Sequence, residues 1–145
     1  MTVEFWSGPV EIFSDESGEL AVGTPAPGLL CTRATGRASP EMAAFFVGAA
    51  KGVVAKAGWL EGFHDWSKLV GYSPECRRIL TDWNVNHSDQ IKRGHLYVTQ
   101  MLVRMGITVV SIGVRHLESH GSRASLIAAY ESALRNAEPR QPSFG

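Results

Sequence analysis

Apolar and polar residues alternate along the first part of the chain with a period of two, the pattern of half-buried strands. The alternation covers residues 3–6, 10–13 and 19–22. Because a polar turn at 14–18 separates the second and third of these segments, we expect them to form a hairpin. An apolar run at 29–35 follows a loop with two prolines and predicts a further strand.

Two identical Ser-Pro-Glu triplets mark helix starts further along the chain, at Ser39 and Ser73. Serine caps free backbone N–H groups, proline fits the first helical position, and glutamate faces the positive end of the helix dipole. Apolar residues at helical spacing follow each triplet, which predicts one helix to about Ala57 and another to the region 84–87. A final helix is predicted after the capping residue Ser122.

Gly48 and Gly52 lie four positions apart on one face of the first predicted helix. Glycine weakens a helix, because it loses more backbone freedom than other residues. Two glycines on one face nevertheless permit another element to approach the helix closely.

Strand patterns lie between the predicted helices, at 59–66, 94–98 and 114–117, and a loop is expected over 68–72. The apolar run 107–112 has strong strand propensity, and helix and strand both remain open for it from its own residues. Alternating strands and helices predict a partly parallel sheet that is covered by helices.

The balance of charge disfavours nucleic acid and membrane surfaces as partners. The chain has 14 Lys and Arg residues against 14 Asp and Glu residues. Neutralisation of phosphates supplies much of the affinity for nucleic acid, and basic clusters attract proteins to anionic membranes. No leader sequence and no apolar run of about 18 residues is present, so we expect a cytoplasmic protein.

The two cysteines, Cys31 and Cys76, lie in apolar segments and form no CxxC pair. This arrangement predicts two reduced, buried thiols rather than a disulfide framework. The sequence contains no phosphate-binding loop, dinucleotide fingerprint or zinc pattern, so we expect no cofactor.

Two groups of polar residues are candidates for chemistry. His64 and Asp65 end a predicted strand, where α/β domains often place sites, but adjacent strand residues point to opposite faces. His116, Glu118 and His120 alternate, so in a strand they would share one face and offer nitrogen and oxygen ligands to a metal. A solvated sheet edge is the commoner explanation for the second group, and we expect neither an enzyme nor a metal site.

The order and lengths of these elements resemble the STAS domain family, named for sulfate transporters and anti-sigma-factor antagonists. The resemblance covers roughly residues 10 to 137, and its best local part runs from Trp59 to Ile112. In that part a strand ends in Phe63-His64-Asp65-Trp66, and the capped helix at Ser73 follows. It implies an α/β fold with a mixed sheet, an N-terminal hairpin and about four helices packed mainly on one face. The fourth helix would cover 100–112. We expect one STAS-like domain over 1–138 and a flexible tail over 139–145.

The resemblance also implies a function. In anti-sigma-factor antagonists, a partner kinase phosphorylates a serine at the start of the helix that follows this strand, and the phosphate controls binding. Ser73 stands at the matching place, although the family's short Asp-Ser-Ser-Gly pattern is absent and proline follows. We therefore expect a non-enzymatic regulatory module that binds a protein partner, such as a serine kinase of the anti-sigma type, through Trp66, Tyr72, Ser73 and Arg77. A plain helix cap is the alternative role for Ser73.

Two other functions remain open from the sequence. One is a small-molecule-binding domain with an apolar pocket between sheet and helices. The other is a self-assembling scaffold component or homodimer, suggested by the charged fraction of 19% and the apolar run 107–112.

Overall fold

The computed structural model describes residues 4–99 and 117–137 of the 145-residue chain. The strands are β1 (Glu11–Ser14), β2 (Gly18–Gly23), β3 (Leu29–Ala38), β4 (Leu60–Tyr72), β5 (Ile91–Tyr97) and β6 (Leu117–His120). The helices are α1 (Pro40–Ala57), α2 (Pro74–Asn86) and α3 (Arg123–Ala137).

The six strands form one mixed sheet in the order β1-β2-β3-β4-β5-β6. Strands β1, β2 and β3 pair antiparallel, and the pairs β3–β4, β4–β5 and β5–β6 are parallel. The predicted N-terminal hairpin is therefore confirmed, as is the parallel part of the sheet.

Serine side chains start all three described helices, as their positions in the sequence predict. The Oγ atoms of Ser39, Ser73 and Ser122 each accept a hydrogen bond from the backbone N–H three residues later, at 3.1, 3.0 and 3.1 Å. Gly58 ends α1 with a φ of 81°, and its N–H donates to the carbonyl of Val54. These caps satisfy backbone groups that a helix end would otherwise leave without partners.

The sheet lies between two helical layers. Helices α1 and α2 cover one face and share a core with residues such as Leu30 and Leu96. Helix α3 covers the other face, where Leu126 packs near Phe63. Three helices are thus described, two of them on one face; the predicted helix over 100–112 and the tail over 139–145 lie outside the described residues. Among the described helices, none is both long enough and apolar enough to cross a membrane.

Three of the wrong predictions share one reason. Residues 4–6 form no strand, because Phe5 and Trp6 pack as aromatic residues against the α3 side of the core. The predicted loop over 68–72 is the last part of β4, paired with β3. The last strand runs on to His120, past the predicted end at Leu117. Each of these features depends on contacts with distant segments of the chain, and the local pattern of residues does not indicate such contacts.

The two cysteines are free and buried, which confirms the prediction. Burial raises the pKa of Cys76 to about 11 and raises that of Cys31 further. Neither thiol is therefore ionised to a significant extent at neutral pH.

Candidate functional site

The carboxyl ends of the parallel strands lie at one edge of the sheet, and two helices begin there. Helix α1 follows the end of β3 at Ala38, and α2 follows the end of β4 at Tyr72. This edge is where sheets of this kind commonly place functional groups. The predicted site residue Ser73 lies on it.

Ser73 joins the end of β3 to the start of α2. Its backbone N–H donates to the carbonyl of Ala38 at 2.9 Å, and its Oγ accepts the N–H of Cys76 at 3.0 Å. The side chain is half-buried. Within the described ranges, the Ser73 hydroxyl makes no bond to another side chain, so its oxygen is constrained only by the cap.

Ser39 starts α1 with the same triplet but has a different environment. It is buried, and its Oγ donates to Oδ2 of Asp15 at 2.5 Å while also capping the helix. This hydrogen bond is the largest cause that lowers the pKa of Asp15 below its usual value. A carboxylate therefore already occupies the space beside Ser39.

Basic side chains flank Ser73 instead. An Nη2 atom of Arg37 lies 3.4 Å from the carbonyl oxygen of Tyr72, immediately before Ser73. Arg77 is exposed one helical turn after Ser73 and makes no ion pair in the part of the chain that the structure describes. Arg78, by contrast, pairs with two acidic residues of α2 at 3.3 and 3.2 Å. Arg77 was identified from the sequence, whereas Arg37 was missed because it lies 35 residues before Tyr72.

The other two predicted partner-binding residues differ in their surroundings. Tyr72 is half-buried and packs against the core under α1 and α2. The indole N–H of Trp66 donates to Oγ1 of Thr32 at 2.9 Å, and its ring lies 6.0 Å from that of Phe46. Tyr72 thus adjoins Ser73 at the sheet edge, whereas the polar end of Trp66 is directed into the layer between sheet and α1.

His64 and Asp65 point to opposite faces of the sheet, as predicted. His64 lies under α1, with Nδ1 2.7 Å from Oγ1 of Thr32. Burial, with a smaller effect of His95, lowers the pKa of His64 to about 3. Asp65 faces α3 and accepts the Nε–H of Arg123 at 3.1 Å. The two side chains stabilise different layers and do not form an acid–base pair.

A cavity of about 90 Å³ lies between α2 and the sheet. Its lining includes His64, Trp66 and Trp83, above the glycines Gly62 and Gly94. Sites for drug-sized ligands have volumes of about 300–1,000 Å³. The cavity can therefore hold only a few atoms.

The architecture is similar to that of a solved structure from Shewanella loihica PV-4, an uncharacterized protein from the DUF3478 family with a SpoIIAA-like fold. The two chains are 15% identical, with a TM-score of 0.61 over 81% of this chain and 98% of that chain. This chain has the STAS fold. At such low identity the likeness concerns the fold alone. No family model and no curated protein matches the sequence.

The α3 side of this STAS fold carries a second polar cluster. Glu118 and His120 share one face of β6, as predicted, and the structure adds His95 from β5 to them. The third candidate ligand, His116, lies outside the described residues. His95 had no predicted partner, because its contact with His120 depends on the register between β5 and β6.

Proposed function

We propose that this STAS domain is a non-enzymatic regulatory module that binds a protein partner at the start of α2. The binding surface would include Tyr72, Ser73 and Arg77, with Trp66 supporting it from the adjoining layer. Phosphorylation of Ser73 would control the contact. The observation that supports this proposal is the contrast between two identical Ser-Pro-Glu triplets. The first lies beside the Asp15 carboxylate, whereas the second follows the Tyr72 carbonyl that Arg37 contacts and has Arg77 one turn along its helix.

A phosphate suits Ser73 for three physical reasons. The start of α2 offers backbone N–H groups and the positive end of a helix dipole. Arg77, one turn along, and Arg37, beside the carbonyl of Tyr72, supply guanidinium groups that pair well with phosphate. A phosphate on Ser39 would instead be buried next to a carboxylate, which opposes it by charge repulsion.

Phosphorylation would change the surface by about −1.5 to −2 charges at neutral pH. An acidic partner that approaches Arg77 would be repelled, and a basic partner would be attracted. A serine kinase of the anti-sigma type, as in STAS regulators, is the partner class that we propose. The plain capping role of Ser73 would persist in the unphosphorylated state.

Affinity purification from the protein's own cells tests this proposal when three forms are compared. Ser73→Glu places a negative charge at the site, whereas Ser73→Asn keeps a good helix cap and removes the hydroxyl. We expect a partner that co-purifies with wild type and Ser73→Asn but is lost or replaced with Ser73→Glu. We also expect mass spectrometry to find phosphate on the wild-type peptide that contains Ser73.

A matched control variant separates the effect of a charge at Ser73 from the effect of an added charge elsewhere on α2. Glu introduced at Thr81, an exposed position of α2 two turns away, adds the same charge outside the site. It should leave the partner unchanged. Identical partners in all four forms, together with an unphosphorylated Ser73 peptide, would reduce Ser73 to a helix cap.

Small-molecule binding is a second candidate, because an open groove of about 840 Å³ lies between α1 and residues 22–28. Phe45 and Val53 supply apolar lining, and Lys56 supplies a charge at the same groove. This volume is typical of ligand sites. Ala49→Trp would fill the groove. A ligand that raises the unfolding temperature of the wild type but not of this variant would support the function. A ligand with equal effects on both forms would exclude the groove as its binding site.

A further inference from the structure

His95, Glu118 and His120 converge on the face of the sheet that α3 covers. Nδ1 of His95 lies 3.0 Å from Nε2 of His120 and 3.6 Å from Oε2 of Glu118. The register explains this meeting, since Glu118 is directly opposite His95 and His120 follows two residues later on the same face. One ligand atom from each residue lies within 4.8 Å of the other two.

The second ring nitrogen of each histidine also lies within hydrogen-bond distance of an oxygen atom. Nε2 of His95 lies 2.8 Å from Oε2 of Glu61, and Nδ1 of His120 lies 2.7 Å from Oγ of Ser125. Histidines that bind metals in proteins almost always have such an outer partner, which fixes the ring and its tautomer. The Glu61 carboxylate accepts the Nε2 proton of His95, so Nδ1 is the ring nitrogen that can offer a lone pair to the cluster.

We propose that His95, Glu118 and His120 bind a divalent transition-metal ion, with Zn²⁺ the ion that fits best. Bond lengths of about 2.0–2.2 Å to nitrogen and oxygen in a tetrahedral site place neighbouring ligand atoms about 3.3–3.5 Å apart. The distances from Nδ1 of His95 to the other two ligand atoms, 3.0 and 3.6 Å, bracket that separation, and the third pair, Glu118 and His120, lies within 4.8 Å. Small side-chain movements would therefore bring all three ligands to one ion. The proposal is independent of the function proposed for Ser73.

The surroundings hold one ligand firmly and leave the others accessible. His95 is buried and stacks on the Phe63 ring, with centroids 4.5 Å apart and planes 4° apart. The side chain of Glu118 is 49% exposed, and His120 is half-buried. Two imidazoles and one carboxylate leave a fourth position to water or a ligand, as in catalytic rather than structural zinc sites.

The charged side chains that face the cluster favour a cation overall. Glu61 and Glu118 contribute two carboxylates, and Arg93 contributes one guanidinium, 3.3 Å from Oε2 of Glu118. Arg93 is the group that an incoming metal must displace from that oxygen. Since this ion pair is about half exposed, its disruption has a small energetic cost.

Titration of Zn²⁺ into untagged, chelator-treated protein tests the site by calorimetry. We expect one ion per chain, and we expect His120→Ala or Glu118→Gln to weaken binding at least about tenfold. Ser125→Ala removes only an outer partner and should weaken binding about 10- to 100-fold while one ion per chain still binds. His87→Ala is the matched control, because His87 stacks on Trp83 of α2, on the other side of the sheet. It should bind as wild type does.

Circular dichroism on every variant separates loss of the site from loss of the fold. If His120→Ala is unfolded, Glu118→Gln at a half-exposed position gives the same comparison. X-ray absorption at the zinc edge should show two imidazole nitrogens in the first shell. Absence of binding to the wild type, or equal binding by the wild type, His120→Ala and Glu118→Gln, would overturn the proposal.

Discussion

The hydroxyl of Thr32 lies 2.7 Å from Nδ1 of His64, and the two residues are direct neighbours on β3 and β4. The same hydroxyl oxygen accepts the indole N–H of Trp66 at 2.9 Å. Donation to Nδ1 gives the buried hydroxyl proton an acceptor, so the neutral His64 ring carries its own proton on Nε2. One threonine hydroxyl thus bonds both the buried His64 ring and the half-buried Trp66 ring.

Replacement of Thr32 by valine should destabilise the protein strongly, although the substitution changes the side chain very little. Valine has nearly the shape of threonine, but it leaves Nδ1 of His64 and the indole N–H of Trp66 without their shared partner. Each unsatisfied buried group costs about 1–3 kcal/mol. We expect Thr32→Val to lower the free energy of unfolding by about 2 kcal/mol or more, measured by urea denaturation.

Thr35→Val is the matched control for that measurement. Thr35 lies on the same strand, is half-buried, and makes no side-chain hydrogen bond within the described residues. Its replacement should change the free energy of unfolding by no more than about 0.5 kcal/mol. Equal losses in the two variants would show that the Thr32 hydroxyl has no special role.

The buried, neutral His64 predicts that the fold weakens in mild acid. Burial lowers its pKa from 6.5 to about 3. Below about pH 6.5 the unfolded chain therefore binds a proton at His64, whereas the folded chain does not. The free energy of unfolding is thus highest above that pH and falls as the pH drops toward 3. This residue contributes a slope of about 1.4 kcal/mol per pH unit over that range.

His64→Asn isolates this effect, because asparagine offers Thr32 an acceptor but does not titrate. Between pH 7 and pH 5, the wild type should lose roughly 2 kcal/mol more unfolding free energy than the variant. Urea denaturation at several pH values measures the difference. If the free energy of unfolding depends on pH in the same way in both proteins, His64 takes up its proton as readily in the folded state as in the unfolded state.

The parts of the fold that the sequence predicted are those with local signals. The helix starts at Ser39 and Ser73 depend on a serine and the N–H three residues later, and both are confirmed. The length of β4 was underestimated, because residues 68–72 are extended by pairing with β3. Nothing within 68–72 itself indicates that pairing.

The candidate sites divide in the same way. The position of Ser73 at the sheet edge followed from its place after a strand. The contact between Asp15 and Ser39 spans 24 residues, and that between His95 and His120 spans 25. Such contacts depend on strand register and on how a hairpin meets a helix. They decide which serine is available and which histidines meet, and local spacing does not reveal them.

Two glycine-to-alanine substitutions should change stability in opposite directions. An added Cβ at Gly48 of α1 meets nothing within 4 Å, whereas one at Gly62 of β4 collides with Nε2 of His64, which Thr32 holds in place. Gly48→Ala should therefore stabilise the protein by up to about 1 kcal/mol through helix propensity. Gly62→Ala should destabilise it by about 1–3 kcal/mol through overpacking. Urea denaturation of both variants measures the pair, and a loss of stability in Gly48→Ala would show that another element packs on that helix face, as the sequence pattern allows.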